Sequence, residues 1–165
     1  MTVTLGSAGG ASVPNWQLLQ TSTPTGVATV TFSGLSGYSK YRVMGTNLTA
    51  GVSPVFRITL NGDAGTNYYY TSVSSGAGIN ANGATSNNYI QLTGGSGGGL
   101  SGFLTADVDH ALLLTPKQVS ANAIQQGYGS QNLVGLYQTT SVLSSISITA
   151  ANAFTAGSIY LLGAN

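Results

Sequence analysis

Charged residues are scarce in this sequence. Lys and Arg together number four and Asp and Glu three, so charged side chains make up 4% of the 165 residues, against about 25% in an ordinary soluble domain. The surface must therefore consist largely of Ser, Thr, Asn, Gln and Gly. Because so little charge gives a free monomer weak colloidal repulsion, the composition predicts a protein held permanently in an assembly. Four scattered cations and a net charge of +1 cannot form the basic stripe that binding to nucleic acid requires.

Cysteine and long apolar runs are also missing. Without cysteine the chain has neither disulfides nor thiolate metal sites, and its redox compartment stays open. No run approaches the roughly 18 apolar residues of a membrane span, and residues 1–6 have neither the basic nor the apolar region of a secretory signal. We therefore expect no membrane partner and synthesis in the cytoplasm. Hydrophobic residues still make up 42% of the chain, enough to bury the core of one domain.

The clearest local pattern is the stretch from Phe56 to Ser72. Apolar and polar residues alternate from residue 56 to residue 60, which predicts a strand with one buried face. The turn-forming residues that follow are Asn61, Gly62, Asp63, Gly65 and Asn67. These residue types tolerate positive φ or hydrogen-bond their own backbone, so they close a loop at low cost. The chain returns through three tyrosines of high β-propensity, and the whole stretch predicts one complete hairpin.

Short apolar stretches and turn signals alternate along most of the chain, at a spacing of roughly 8 to 12 residues. The other predicted strands are residues 3–5, 16–22, 27–33, 41–44, 89–92, 100–104, 111–114, 133–137, 146–150 and 158–162. A short helical pattern occurs only at residues 120–126. About ten short strands without a fixed-period repeat predict an all-β sandwich or barrel.

Two glycine-rich segments interrupt this pattern. Residues 1–15 are predicted to form a flexible arm that ties the protein to a neighbour, with Val3 and Leu5 as candidate contacts. Residues 16–165 are then a single domain. Residues 74–99 are predicted to be a long exposed loop system around the strand at 89–92. Because loops of that length usually have a function, we expect contacts with a partner there.

Asparagine and tyrosine supply the side chains for such contacts. The candidate interaction residues in and near the loop system are Tyr69, Asn80, Asn82, Asn87 and Asn88. Tyrosine offers rigid amphipathic contact area to a sugar or a protein, but alternate tyrosines can also fill a core. In a strand, Tyr68 and Tyr70 share one face and Tyr69 the other, so we expect both roles.

Asp107, Asp109 and His110 form the sequence's only cluster of titratable residues. In a strand the two aspartates would face one way and His110 the other, which separates any catalytic trio. Paired carboxylates could serve acid/base or glycosidase chemistry, but such aspartates are more often turn formers or solvated surface. The loop from Asn61 to Asn67 has oxygen ligands at alternate positions like a calcium loop, yet it carries one carboxylate and no closing glutamate. We therefore expect no catalytic residue, no metal site and no cofactor.

Two short motifs resemble a known class of protein. They are Leu60-Asn61-Gly62-Asp63-x-Gly65-x-Asn67-Tyr68 and, near the C-terminus, Ala153-Phe154-x-x-Gly157-Ser158-Ile159-x-Leu161-x-Gly163. In these motifs the chain resembles small jelly-roll virion proteins of tailed bacteriophages. The resemblance implies an antiparallel β-sandwich of the jelly-roll type, commonly a homotrimer, that serves as a capsid decoration (cement) protein or as the distal domain of a tail fibre. Related endings more often read Leu-Tyr-Gly where this chain has Leu161-Leu162-Gly163.

The resemblance leaves more than one function open. The first hypothesis is a non-enzymatic decoration protein of the virion that binds the major capsid protein and stabilises the shell. It is favoured because Met1 leads almost directly into the domain, with no preceding tail-anchoring module. The alternative is a receptor-binding tail-fibre tip, which would contact tail proteins and host polysaccharide through residues 74–99 and the tyrosines. A polysaccharide depolymerase is the weakest hypothesis, because none of the three carboxylates forms a convincing pair.

Overall fold

Twelve β-strands make up the regular secondary structure of the part of the chain that the computed structural model describes. That part comprises residues 14–51, 55–75, 79–93, 102–126 and 129–165, with the backbone alone for residues 79, 80 and 82. The strands are β1 (Gln17–Ser22), β2 (Thr29–Ser33), β3 (Lys40–Ala50), β4 (Phe56–Leu60), β5 (Tyr68–Ser75), β6 (Ile79–Asn87), β7 (Ile90–Gln91), β8 (Gly102–Asp109), β9 (Lys117–Gln125), β10 (Gly129–Tyr137), β11 (Ser145–Ala150) and β12 (Phe154–Ala164). The described residues contain no helix that could span a membrane.

The strands form two antiparallel sheets. The larger sheet has eight strands in the order β1-β12-β3-β8-β9-β10-β5-β6, and the smaller has four in the order β2-β11-β4-β7. All neighbouring strands in these two orders pair antiparallel. The prediction of an all-β antiparallel sandwich is therefore confirmed.

The core lies between the sheets and follows the period-two alternation of the strands. In β4, Phe56, Ile58 and Leu60 are at most 1% exposed, and the smaller sheet adds Ile146 and Ile148 of β11, which are fully buried. The larger sheet opposes them with buried side chains of β3, β8 and β12. Each large apolar side chain buried in this way contributes about 1.5–3 kcal/mol to folding.

The strand pairing is nested along the chain. The first strand pairs with the last, β1 with β12, and β2 pairs with β11. Further inward, β3 pairs with β8 and β4 with β7. The four remaining strands, β5, β6, β9 and β10, lie together and lengthen the larger sheet beyond β8. We call these four strands the extension.

The predicted hairpin at Phe56 to Ser72 is wrong, although its two strands and its loop are present. The strand β4 belongs to the smaller sheet and β5 to the larger one, so the loop crosses between sheets. The loop itself has the predicted turn chemistry, with positive φ at Asn61 (56°) and Gly62 (64°). Alternation identified a buried face on each strand, but it does not determine which strand becomes the neighbour.

Three other local predictions are wrong. Residues 120–126 show a helical pattern but lie mostly in β9, where small alanines at positions 121 and 123 face the core. Residues 111–114 form turns rather than a strand, and residues 79–87 of the expected loop system form β6. Alanine and asparagine have weak β-propensity, and pairing with a neighbouring strand overrides it here. The arm residues Val3 and Leu5 lie outside the described residues.

Candidate interaction surface

The aspartates of β8 are held in ion pairs with the neighbouring strand. Arg42 of β3 donates two hydrogen bonds to Asp107, from Nε to Oδ1 at 2.6 Å and from an Nη to Oδ2 at 2.7 Å. Asp109 lies 2.9 Å from the Nζ of Lys40. The hydrogen bonds that Arg42 donates to Asp107 raise the pKa of its guanidinium. The two aspartates share a face, as predicted, but their carboxylates serve the pairing of β3 with β8.

His110 follows these aspartates but does not join them. Its backbone adopts a positive φ of 63°, which ends the strand, and its side chain is exposed. Within the described ranges no three His, Asp or Glu side chains come together as candidate metal ligands.

The third carboxylate, Asp63, stabilises its own loop. Its Oδ1 accepts a hydrogen bond from the Gly65 amide at 2.7 Å, and its Oδ2 accepts one from Asn67 Nδ2 at 2.8 Å. These hydrogen bonds, that from Asn67 first, hold the pKa of Asp63 below its ordinary value. Asn61 fixes the start of the loop, because its Oδ1 accepts from the Ser144 amide at 2.7 Å. The loop residues act as turn formers.

The extension presents a face without charge on the side away from the smaller sheet. We call it the outer face and define it by the outward side chains of β9, β10 and β5. They are Gln118, Ser120, Asn122, Ile124, Asn132, Val134, Leu136, Tyr69, Thr71 and Val73. None of these side chains is charged.

Cross-strand register arranges nine of these ten side chains, all except Ile124, in three rows. Gln118, Leu136 and Tyr69 form one row, and Ser120, Val134 and Thr71 form the next. The third row is Asn122, Asn132 and Val73. Apolar and amide or hydroxyl side chains are thus mixed in every row. Exposure of the apolar ones is high, at 53% for Val134 and 49% for Val73.

Two adjoining depressions mark the outer face. The larger, of about 370 Å³, is lined mainly by Ser120, Asn122 and Asn132 together with Val73. The smaller, of about 290 Å³, lies over Tyr69 and Leu136 and reaches the edge strand β6. Thr71 and Val134 line both depressions, so the two form one continuous shallow surface.

Tight packing behind the outer face holds this surface in place. Tyr68 and Tyr137 stack with their ring centroids 4.9 Å apart. Gly135 of β10 must be a glycine, because a Cβ there would meet the Tyr69 carbonyl oxygen at 2.8 Å and the Cδ1 of Ile90 at 2.9 Å. This close approach seats β7 of the smaller sheet under the extension. The outer face is therefore built on a rigid support.

An exposed apolar loop lies beside the outer face, between β8 and β9. Leu112, Leu113 and Leu114 are 41%, 51% and 72% exposed. Lys117 at the start of β9 is buried, and its Nζ donates to the Leu113 carbonyl at 2.7 Å and to the Thr115 carbonyl. Burial lowers the pKa of this ammonium. The buried lysine thus fixes a loop whose leucines point into solvent.

The structure brings together only part of the predicted contact set. Tyr69 lies on the outer face, whereas Asn87 and Asn88 lie at the end of β6 and just beyond it. Asn80 and Asn82 lie on β6, at the register positions of Ser74 and Ser72. Most of the outer face comes from β9 and β10, where no sequence pattern predicts a contact surface.

Comparison with known proteins assigns no family: no protein-family model matches the chain, and no curated protein matches it.

Proposed function

We propose that this protein is a non-enzymatic structural component of a tailed-bacteriophage virion, a decoration protein that binds the major capsid protein on the outside of the head. In this proposal the copies form a homotrimer through the outer face, and the bound trimer stabilises the shell by mass action. The observation that carries the proposal is the outer face itself. A wide face with no charge and several exposed apolar side chains is typical of a surface that is covered after assembly.

The nested strand pairing supports the fold that the proposal requires. A jelly roll arises when a long antiparallel ribbon wraps around itself. Its first strand then pairs with its last, its second with its second-last, and so on inward. The pairs β1 with β12, β2 with β11, β3 with β8 and β4 with β7 follow that rule. We interpret the sandwich as a jelly roll to which β5, β6, β9 and β10 have been added.

The ion pairs and hydrogen bonds of the carboxylates support a non-enzymatic role. Acid/base and glycosidase chemistry needs carboxyl groups that can exchange protons with a substrate. Asp107 and Asp109 are held by cations of β3, and Asp63 accepts hydrogen bonds from its own loop. The sequence contains only these three acidic side chains. Each of them therefore has a structural partner.

A second candidate function, a tail-fibre tip that contacts host polysaccharide, is favoured by the larger depression. Its lining includes the hydroxyl of Ser120 and the amides of Asn122 and Asn132. Such groups hydrogen-bond sugars, and the neighbouring Tyr69 offers a ring for stacking.

A shell-stabilisation assay tests the proposal. Particles assembled without this protein would be mixed with increasing amounts of the purified chain, and the temperature at which heads rupture and release DNA would be recorded. We expect the chain to cosediment with the heads and to raise the rupture temperature to a plateau. Failure to cosediment with heads, together with binding to host cells that is competed by their polysaccharide, would replace decoration with the tail-tip function.

A further inference from the structure

Arg57 is left without a carboxylate when the charges of this chain are paired. Lys40 and Arg42 are neutralised by Asp109 and Asp107, and the buried Lys117 bonds to backbone carbonyls. The third acid, Asp63, is held in its own loop by Gly65 and Asn67. Since the chain has three acidic side chains in all, no side-chain carboxylate is left for Arg57.

The surroundings of Arg57 hold the guanidinium in place. Arg57 lies on the side of β4 that faces away from the core, opposite Gln91 of β7 and Thr149 of β11. Its guanidinium carbon lies 4.3 Å from the centre of the Tyr89 ring, a cation–π contact. The Nε is fully buried and has no hydrogen-bond partner among the described residues, while the residue as a whole is partly exposed. A stacked guanidinium loses little further freedom when it binds a carboxylate in a planar, bidentate manner.

Tyr70 and Asn87 complete a polar cluster around Arg57. Burial, followed by the proximity of Tyr89, raises the pKa of the Tyr70 phenol, whereas a hydrogen bond with Asn87 and the charge of Arg57 act in the opposite direction. The cluster therefore joins β4 of the smaller sheet to β5 and β6 at the far edge of the larger sheet. Asn87, one of the predicted contact residues, belongs to this cluster through its hydrogen bond with Tyr70.

We infer that Arg57 binds a carboxylate of the protein to which this chain is attached, which under the proposed function is the major capsid protein. Two of the three aspartates of a second copy, Asp107 and Asp109, are already paired with Arg42 and Lys40, so an acidic side chain of a different protein suits Arg57 better. The uncharged outer face, in contrast, can be matched by another copy. The two surfaces therefore bind different partners: the outer face contacts other copies of this chain, and the Arg57 cluster contacts the shell.

A protein carboxylate suits this site better than an acidic sugar. Arg57 lies on the smaller sheet, outside both depressions of the outer face. A guanidinium stacked on the outer side of a sheet matches a contact between two protein surfaces, where Arg is an enriched residue.

A charge-matched pair of variants tests this inference. Arg57→Gln and Lys40→Gln each lower the formal net charge from +1 to zero, but only the first removes the unpaired cation. Affinity for particles assembled without the protein would be measured by cosedimentation at low and high salt. We expect Arg57→Gln to weaken binding about tenfold to hundredfold, the range of a charged hydrogen-bonded contact, and Lys40→Gln about threefold or less. Arg57→Lys should fall between wild type and Arg57→Gln, because it keeps the charge but not the bidentate geometry.

Blocking the carboxylates of the shell provides the second arm. Shells treated with a carbodiimide and ethanolamine should bind the wild type as weakly as untreated shells bind Arg57→Gln. The same treatment should leave the affinity for Arg57→Gln unchanged. Equal binding of Arg57→Gln and wild type to untreated shells would overturn this inference alone. Arg57-dependent binding to polygalacturonate with unchanged shell binding would assign the site to an acidic sugar and also overturn it. A wild-type chain that binds no shell at all would overturn the proposed function together with this inference.

Discussion

The hydroxyl of Tyr68 is bonded to the backbone of Leu60, although the two residues belong to different sheets. It accepts a hydrogen bond from the Leu60 amide at 2.9 Å and lies 3.1 Å from the Leu60 carbonyl oxygen, to which it can donate. Both residues are fully buried. Burial also raises the pKa of the Tyr68 phenol, so the hydroxyl keeps its proton at any ordinary pH. One side chain therefore ties the end of β4 to the start of β5, where the chain crosses from one sheet to the other.

Tyr68→Phe should destabilise the fold by about 1–3 kcal/mol, because it leaves the buried Leu60 amide without its acceptor. The control is Tyr69→Phe, which removes a hydroxyl that makes a longer, exposed contact of 3.3 Å with Ser86. That variant should change stability by about 0.5 kcal/mol or less. Chemical denaturation of the three proteins measures the difference. Equal stabilities of the two variants would show that the Tyr68 hydroxyl does not hold the crossing.

Ile58→Asp should prevent the subunit from folding. Ile58 is completely buried at the centre of β4, and an aspartate there would bury an unpaired charge in an apolar environment. Ile58→Val, which removes one methylene, should cost only about 0.5–1.5 kcal/mol. Soluble expression and near-UV circular dichroism would distinguish the variants. A soluble, native-like Ile58→Asp protein would contradict the burial of this strand.

Acid should weaken the loop that Asp63 stabilises. Because the folded-state pKa of Asp63 lies below its ordinary value, its contribution to stability is complete above about pH 5 and is lost as the pH falls through the folded-state pKa. Asp63→Asn cannot titrate, so its stability deficit relative to wild type should be largest near neutral pH and should shrink toward about pH 2. Both proteins share the other two aspartates, and their difference therefore isolates Asp63. A deficit that stays constant with pH would contradict this role.

A charge placed on the outer face should block assembly but not folding. Val134→Asp puts a carboxylate between the two depressions at a position that is 53% exposed, so the free subunit tolerates it, whereas covering it after assembly is costly. Leu18→Asp is the matched control, because Leu18 is 61% exposed but lies on β1 at the opposite edge of the sheet. Sedimentation should show smaller oligomers for Val134→Asp only. The same oligomer for both variants would remove the outer face from the proposed trimer contact.

The strands could be predicted from sequence where alternation is strict. In β4 and β11, apolar residues such as Ile58 and Ile146 recur at every second position, and both strands lie where expected. Alternation does not identify the neighbouring strand, however, so the sequence predicts a hairpin where the chain crosses between sheets at Tyr68. That crossing depends on a hydrogen bond between residues of two sheets, which no local pattern reveals.

The outer face was hidden by a different ambiguity. From residue 133 to residue 137 almost every side chain is apolar, yet Leu133 and Tyr137 face the core while Val134 and Leu136 face solvent. An apolar run without alternation does not show which of its side chains face the core and which face solvent. The apolar run at residues 111–114 predicts a strand for the same reason, whereas the turns found there depend on the buried Lys117.

The location and copy number of the protein in intact virions test the central proposal most directly. Quantitative mass spectrometry would give the ratio of this chain to the major capsid protein, and immunogold labelling would give its position. Decoration predicts on the order of hundreds of copies distributed over the head, as mass-action binding to a repeated shell subunit requires. A few copies clustered at the end of the tail would contradict decoration and would make the larger depression of the outer face a site for host polysaccharide.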